Sequence, residues 1–233
     1  MEGGRLYLEV IPLIVTLMDF FNMLTAAVFP RFCVECGQEG GVLCATCAGR
    51  WQRACVADHF ASDDARVIAL RPYADKTAHA LLRAWKYGYD VSAREALLQA
   101  TTPLLQKVCR TLKQTDVDFE AIVPLPLSPF RLRERGFNQA EELARWVSGV
   151  LNVPVMPLLR RRFRFGHQAD RSHGERRKAM ARTPFVLAAN ISSPCRVLLV
   201  DDVCTTGSTM RAAAEVLRAG GVDEVRGFCV LRG

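Results

Sequence analysis

The sequence predicts an α/β protein, a parallel sheet flanked by helices, with a small cysteine-rich module at its front. Three observations predict it. Short apolar runs alternate with helix-patterned segments along most of the chain, the pattern of parallel strands joined by crossover helices. The run Arg196-Val-Leu-Leu-Val200 is apolar without alternation, as expected of a strand buried on both faces. Four cysteines fall as Cys33-x2-Cys36-x7-Cys44-x2-Cys47, in a stretch too short to build a hydrophobic core.

The 233 residues suffice for one full α/β domain and a small module. The expected division is an N-terminal extension with a packing helix over 1–29, a metal-binding module over 30–60 and the α/β body over 61–233. With 50% hydrophobic and 24% charged residues, the composition is that of a soluble globular protein. The net charge of +7 suits a phosphorylated small molecule and nucleic acid equally. Glu9 and Asp19 interrupt the apolar segment from Leu6 to Phe29, so no uncharged run approaches the roughly 20 residues that a membrane span needs. A signal-peptide pattern is also missing. A short helix over 16–28 is expected instead, with Met18 or Met23 as alternative starts. Nine cysteines without an export signal predict the reducing cytoplasm and metal binding rather than disulfides.

Each Cys-x2-Cys pair can wrap two thiolates around one ion. Four thiolates from Cys33, Cys36, Cys44 and Cys47 suit a closed, structural, tetrahedral Zn²⁺ site. An iron–sulfur cluster uses the same ligands and stays open as an alternative. Cys55 and His59 lack a second pair nearby, and Cys109, Cys195, Cys204 and Cys229 read as small core residues.

Along the body, Arg66–Pro72 reads as a strand. Ala78, Leu81, Leu82 and Trp85 give residues 75–86 a helical face, with Gly88 as its stop. Residues 91–113 form a second helix, expected to break near Thr101–Pro103. Ala121–Leu127 is the first core strand, with Pro124 and Pro126 shaping its exit. A helix over 138–150, a strand over 153–159, a break over 160–184 and an apolar stretch over 185–189 follow. The strand of Arg196–Val200, a helix over 210–219 and a last strand over 224–231 complete the alternation.

The strand at Arg196 ends on adjacent carboxylates, Asp201 and Asp202. A loop of Thr205, Thr206, Gly207, Ser208 and Thr209 then opens the next helix. Glycine lets the backbone turn its N–H groups around an anion, and the hydroxyls add donors. Carboxylates suit a diol rather than a phosphate, so a phosphate carried on a sugar satisfies both halves. The segment contains neither the Gly-x-x-x-x-Gly-Lys nor the Gly-x-Gly-x-x-Gly pattern.

This segment resembles the signature of type I phosphoribosyltransferases. The resemblance implies that Asp201 and Asp202 hold the ribose hydroxyls and that Thr205–Thr209 hold the 5′-phosphate. The cysteine pairs, Lys86-Tyr87-Gly88 and Arg131-Leu-Arg-Glu-Arg-Gly-Phe-Asn-Gln139, together with this loop, look like the ComF family of competence-associated proteins, GntX-type members included. Membership implies a zinc-ribbon-like module on a phosphoribosyltransferase fold. It also implies binding of phosphoribosyl pyrophosphate with Mg²⁺, and a role in natural transformation or use of external DNA beside competence helicase and recombination proteins. Arg135 and Gly136 are the expected pyrophosphate loop, with Arg131 and Arg133 as weaker candidates. The arginine-rich segment 160–182 corresponds to a mobile loop closing over the substrate, with Arg176 and Arg177 as its residues. The alternative is a non-catalytic module that binds single-stranded DNA or senses a sugar phosphate, using Phe137, Phe163 and Phe165 beside arginines as stacking platforms.

Overall fold

The computed structural model describes residues 30–53, 58–62, 65–114, 118–162, 183–188 and 194–233. They fall into two compact units, one ending at Ala48 and the other beginning at Gly49. The helix expected over 16–28, Cys55 and the segment 163–182, with Arg176 and Arg177, lie outside the described residues.

The elements, in chain order, are α1 (Ala45–Arg53), β1 (Asp58–Ser62), β2 (Ala65–Pro72), α2 (Lys76–Gly88), α3 (Val91–Gln114), β3 (Ala121–Pro124) and α4 (Pro129–Arg135). They continue with α5 (Gln139–Leu151), β4 (Leu159–Arg161), β5 (Phe185–Leu187), β6 (Arg196–Val200), β7 (Val203–Cys204), α6 (Ser208–Ala219) and β8 (Glu224–Arg232). The main sheet runs β1-β2-β8-β6-β3, with β7 paired to β8. All of its pairings are parallel except β1 with β2. β6 therefore sits between β3 and β8, in the interior of the sheet.

The unpatterned apolarity of β6 follows from that position. Val197 and Leu199 join a cluster with Met210, Ala213, Ala214 and Leu217 of α6. On β8, Phe228 meets Trp146 of α5, whose indole donates to Thr102 of α3 at 3.1 Å. Helices thus cover the sheet on both faces. Leu198 and Leu199 are 1% exposed, and burial of a side chain of this size contributes about 1.5–3 kcal/mol.

Three expectations are corrected. α3 runs unbroken through Pro103. The carbonyl that Pro103 leaves without a donor belongs to exposed Gln99, while buried Leu97, Ala100, Leu104 and Val108 hold the helix on the core. Hydroxyls of Thr101 and Thr102 donate to the carbonyls of Leu97 and Leu98 at 2.6 and 2.7 Å. The strand expected over 153–159 reduces to one parallel bridge, Val155 with Ile122, because Pro154 and Pro157 have no N–H for a ladder; Leu159–Arg161 pairs antiparallel with β5 instead. The strand expected over 121–127 ends at Pro124 and is followed by the unanticipated α4. Ser128 caps α4 and Pro129 opens it.

Two smaller differences concern ends. The left-handed residue after α2 is Tyr89 (φ 53°), not Gly88. The edge strand β1 was likewise not anticipated. Among the described residues no helix is long and apolar enough to cross a membrane.

Candidate functional site

The site grows from the carboxyl end of β6. Asp201 N–H donates to the Phe228 carbonyl at 3.0 Å, and the Asp202 carbonyl accepts from Val230 and Leu231 at 3.1 Å. These bonds splice the acidic pair onto β8 before β7 rejoins the same strand at Val203. Asp202 N–H donates to the Asp201 carboxylate at 2.8 Å. Burial first, and then the charge of Asp202, push Asp201 well above the usual carboxylate range, with Lys86 pulling the other way.

The loop then turns through Gly207, at φ 72°, into α6. The N-cap residue Gly207 has no side chain to cap this helix, and Thr206 Oγ1 accepts only the Ser208 N–H, at 3.4 Å; the first turn's partial positive charge faces the loop. Thr205, Thr206, Ser208 and Thr209 are exposed, and the Thr206 and Ser208 hydroxyls lie 3.0 Å apart. The helix can seat so low because Gly227 on β8 has no Cβ. One built there would lie 2.7 Å from Met210 Sδ and 3.0 Å from Val67 Cγ2.

Two motifs that the sequence kept apart meet here. Lys86 forms an ion pair with Asp202. Tyr87 accepts a hydrogen bond at 3.1 Å from Arg135, whose guanidinium lies 5.0 Å from the Tyr87 ring centre. Tyr89 donates to the Glu134 carbonyl. Phe137 stacks on Trp85 at 6.1 Å and meets Tyr89 edge-on at 6.3 Å. The end of α2 is therefore docked on the turn between α4 and α5.

The structure brings Asp201, Asp202 and Thr205–Thr209 together at one strand end. Arg135 is buried, bonded to Gln139 and Tyr87; its Nε and the Gln139 Nε2 are buried donors without a hydrogen-bond partner. Gly136, at φ 74°, ends α4, and Asn138 caps α5 while donating to the Leu125 carbonyl at 3.0 Å. Arg131 and Arg133 are exposed. Arg161 feels both the Arg131 and Asp201 charges, and burial leads in drawing it below its ordinary value. Phe137 is half-buried and packed, so it is not an open stacking platform; Phe163 and Phe165 lie outside the described residues. Sequence reasoning missed the partner of Lys86, because a lysine in a helix's last turn reads as an ordinary dipole-matching cation.

Cys204 and Cys229 are buried beneath the loop. Their mutual hydrogen bond, opposed by burial and aided by Arg232, brings Cys204 down to about 7; the same bond, here joined by burial and opposed by Arg232, pushes Cys229 well above the ordinary thiol range.

In the first unit, the sulfurs of Cys33, Cys36, Cys44 and Cys47 all lie within 4.8 Å of one another. Cys36 and Cys44 sulfurs are 3.7 Å apart. Zn–S bonds of about 2.3 Å give a tetrahedron with edges of about 3.8 Å, so the set fits a metal ion. Burial raises the Cys33 thiol, yet backbone N–H bonds from Cys44, Cys36 and Glu35 bring it down to about 6, toward the ligating thiolate.

A phosphoribosyl transferase domain matches residues 135–233, which takes in the whole Asp201–Thr209 segment. Competence protein F of Haemophilus influenzae is 37% identical over 46% of this chain and 48% of its own length. Competence protein ComFC of Streptococcus pneumoniae is 31% identical over 47% of each chain. The DNA utilization protein YhgH of Salmonella typhimurium is 30% identical over 55% of this chain and 57% of its own. The chain thus spans about half the length of the curated relatives it matches. Over about half of its length, then, the chain carries a phosphoribosyl transferase domain and is similar to proteins named as competence and DNA utilization proteins.

Proposed function

We infer that the chain binds phosphoribosyl pyrophosphate at the carboxyl end of β6 and acts as a phosphoribosyltransferase-type protein on an acceptor of unassigned class. One observation carries this reading: the Asp201–Asp202 pair leads through the two residues of β7 into a hydroxyl-glycine loop and the N-terminus of α6. Asp201 and Asp202 accept from the ribose hydroxyls. The loop N–H groups and the hydroxyls of Thr205, Thr206, Ser208 and Thr209 take the 5′-phosphate. Arg135 and Gly136 serve the pyrophosphate side, with Arg135 Nε the donor still to be satisfied. As the bond from ribose C1 to pyrophosphate breaks, positive charge grows on the sugar beside the carboxylates, and fixed donors stabilise the departing oxyanion. Mg²⁺ arriving with the ligand supplies further neutralisation of its phosphates.

Cys33, Cys36, Cys44 and Cys47 hold a structural Zn²⁺ in this reading. The names of the relatives, competence protein and DNA utilization protein, support a role in natural transformation or use of external DNA; in the same reading the chain works in the cytoplasm beside competence helicase and recombination proteins.

The test is ligand-dependent thermal stabilisation. Phosphoribosyl pyrophosphate at 100-fold over its dissociation constant adds about 2.7 kcal/mol to a protein that binds it only when folded. Wild type should respond, and Asp201→Asn with Asp202→Asn should not. Equal melting points with and without ligand in both proteins contradict the reading.

One observation favours a second reading, single-stranded DNA binding. Phe130 is 76% exposed on the same short helix, α4, as exposed Arg131 and Arg133, and Tyr87 and Tyr89 are exposed as well. Exposed aromatics beside arginines suit base stacking and phosphate contact. Phe130→Ala should then weaken single-strand affinity by about 1–3 kcal/mol. Arg161→Ala with Arg162→Ala should flatten its salt dependence.

A further inference from the structure

One charged side chain at this site has no part in the scheme above. Lys86 lies in the last turn of α2 with its side chain 15% exposed, against an Asp202 side chain that is 12% exposed. Desolvating an ammonium costs several kcal/mol, so a lysine this buried answers to a partner. Its helix end cannot swing freely. Trp85 is stacked on Phe137, Tyr87 is bonded to Arg135, and Tyr89 is bonded to the Glu134 carbonyl. The ammonium is therefore fixed beside the acidic pair, at the carboxyl end of the sheet. It has three N–H donors, and its ion pair is with a single carboxylate. A ligand with a diol on the acidic pair and a pyrophosphate next to that diol needs a cation at this place. A divalent ion would have to share Asp202 with a positive group already in contact with it.

We propose that Lys86 is a resident cation of the site: anchored by Asp202, its ammonium bonds the pyrophosphate and makes sugar-phosphate binding largely independent of Mg²⁺. This rests on the phosphoribosyl pyrophosphate reading above. A lysine that merely ties α2 to the sheet leads to a different expectation, lower stability of its variants with unchanged metal dependence.

The experiment is calorimetric titration of the full chain with phosphoribosyl pyrophosphate, in excess EDTA and in millimolar Mg²⁺. Wild type, Lys86→Gln, Lys86→Met and Lys86→Arg are compared, each with its melting temperature. Wild type should bind in EDTA nearly as tightly as in Mg²⁺. Lys86→Gln and Lys86→Met should lose about tenfold or more in EDTA and recover most of it in Mg²⁺, since a charge-assisted phosphate bond is lost and a metal can replace it. Lys86→Arg, which keeps the charge, should retain binding in EDTA. Two results overturn the proposal: a wild type that binds only with Mg²⁺, or a folded Lys86→Gln that matches wild type in EDTA. Should both neutral variants fail to fold, wild type and Lys86→Arg still decide it through their own metal dependence. A folded wild type that binds in neither buffer removes the underlying site reading, and this proposal with it.

Discussion

Asp201 holds its proton more tightly in the folded protein than in the unfolded chain, chiefly because it is desolvated and then because Asp202 lies beside it. The stability this contributes is full below the unfolded value of about 3.9 and is lost as pH rises toward the raised folded value. Ligand binding runs the other way. A ribose diol donates to an ionised carboxylate, so affinity should climb as pH rises through the folded value and level off above it. The substrate's phosphates themselves titrate at about pH 6. Asp201→Asn is therefore the reference, and calorimetry from pH 5 to 8 should show the Asp201-dependent part of the slope missing in that variant. A slope identical in both proteins would remove Asp201 from the binding equilibrium. The acidic pair was legible in the sequence because two carboxylates ending a buried strand have no packing use. Lys86 was not, since its partner lies more than a hundred residues away in the chain.

At the scale of elements, the site depends on how low α6 sits and how firmly α2 is capped. Gly227→Ala would set a methyl group against Met210 Sδ and Val67 Cγ2 and lift the first turn of α6. Overpacking of this kind costs about 1–3 kcal/mol. Denaturant unfolding should register that loss, together with weaker phosphate binding; unchanged ligand affinity would separate α6 seating from the site. Asp75 caps α2 through Ala78 N–H at 2.9 Å, accepts from the Trp51 indole at 2.7 Å and pairs with Arg71. Arg71 and Asp75 side chains are each 7% exposed, so Asp75→Ala removes the carboxylate from a buried arginine and should cost about 3–5 kcal/mol. A urea titration showing less than 1 kcal/mol, well below the about 3 kcal/mol expected, would contradict that assignment. Long periodic elements such as α2, α5 and β8 were readable from apolar spacing. Short α4 was not, because Phe130-Arg-Leu-Arg-Glu-Arg135 has no buried face apart from Arg135; only the Ser128-Pro129 start signals it. The single bridge at Val155 escaped because apolar residues around Pro154 and Pro157 mimic a strand that prolines interrupt.

Across the whole molecule, the central sheet and its covering helices were readable because burial of β6 on both faces dictates composition. The docking of Lys86-Tyr87-Gly88 onto the turn at Arg135-Gly136-Phe137 was not, because it is made by tertiary contact alone. The four-cysteine unit was readable from spacing. Metal analysis should find one zinc per chain, and chelation should release four thiols to alkylation that were protected before; thiols equally reactive with and without chelator would contradict a bound ion. Sugar-phosphate binding depends on the strand end at Asp201–Asp202 in the proposed function. Calorimetric titration of phosphoribosyl pyrophosphate into wild type and the Asp201→Asn, Asp202→Asn double variant tests it most directly. Saturable one-site binding by wild type, lost in an equally stable variant, is the predicted result. Equal heats from both folded proteins, or none from wild type, would contradict it.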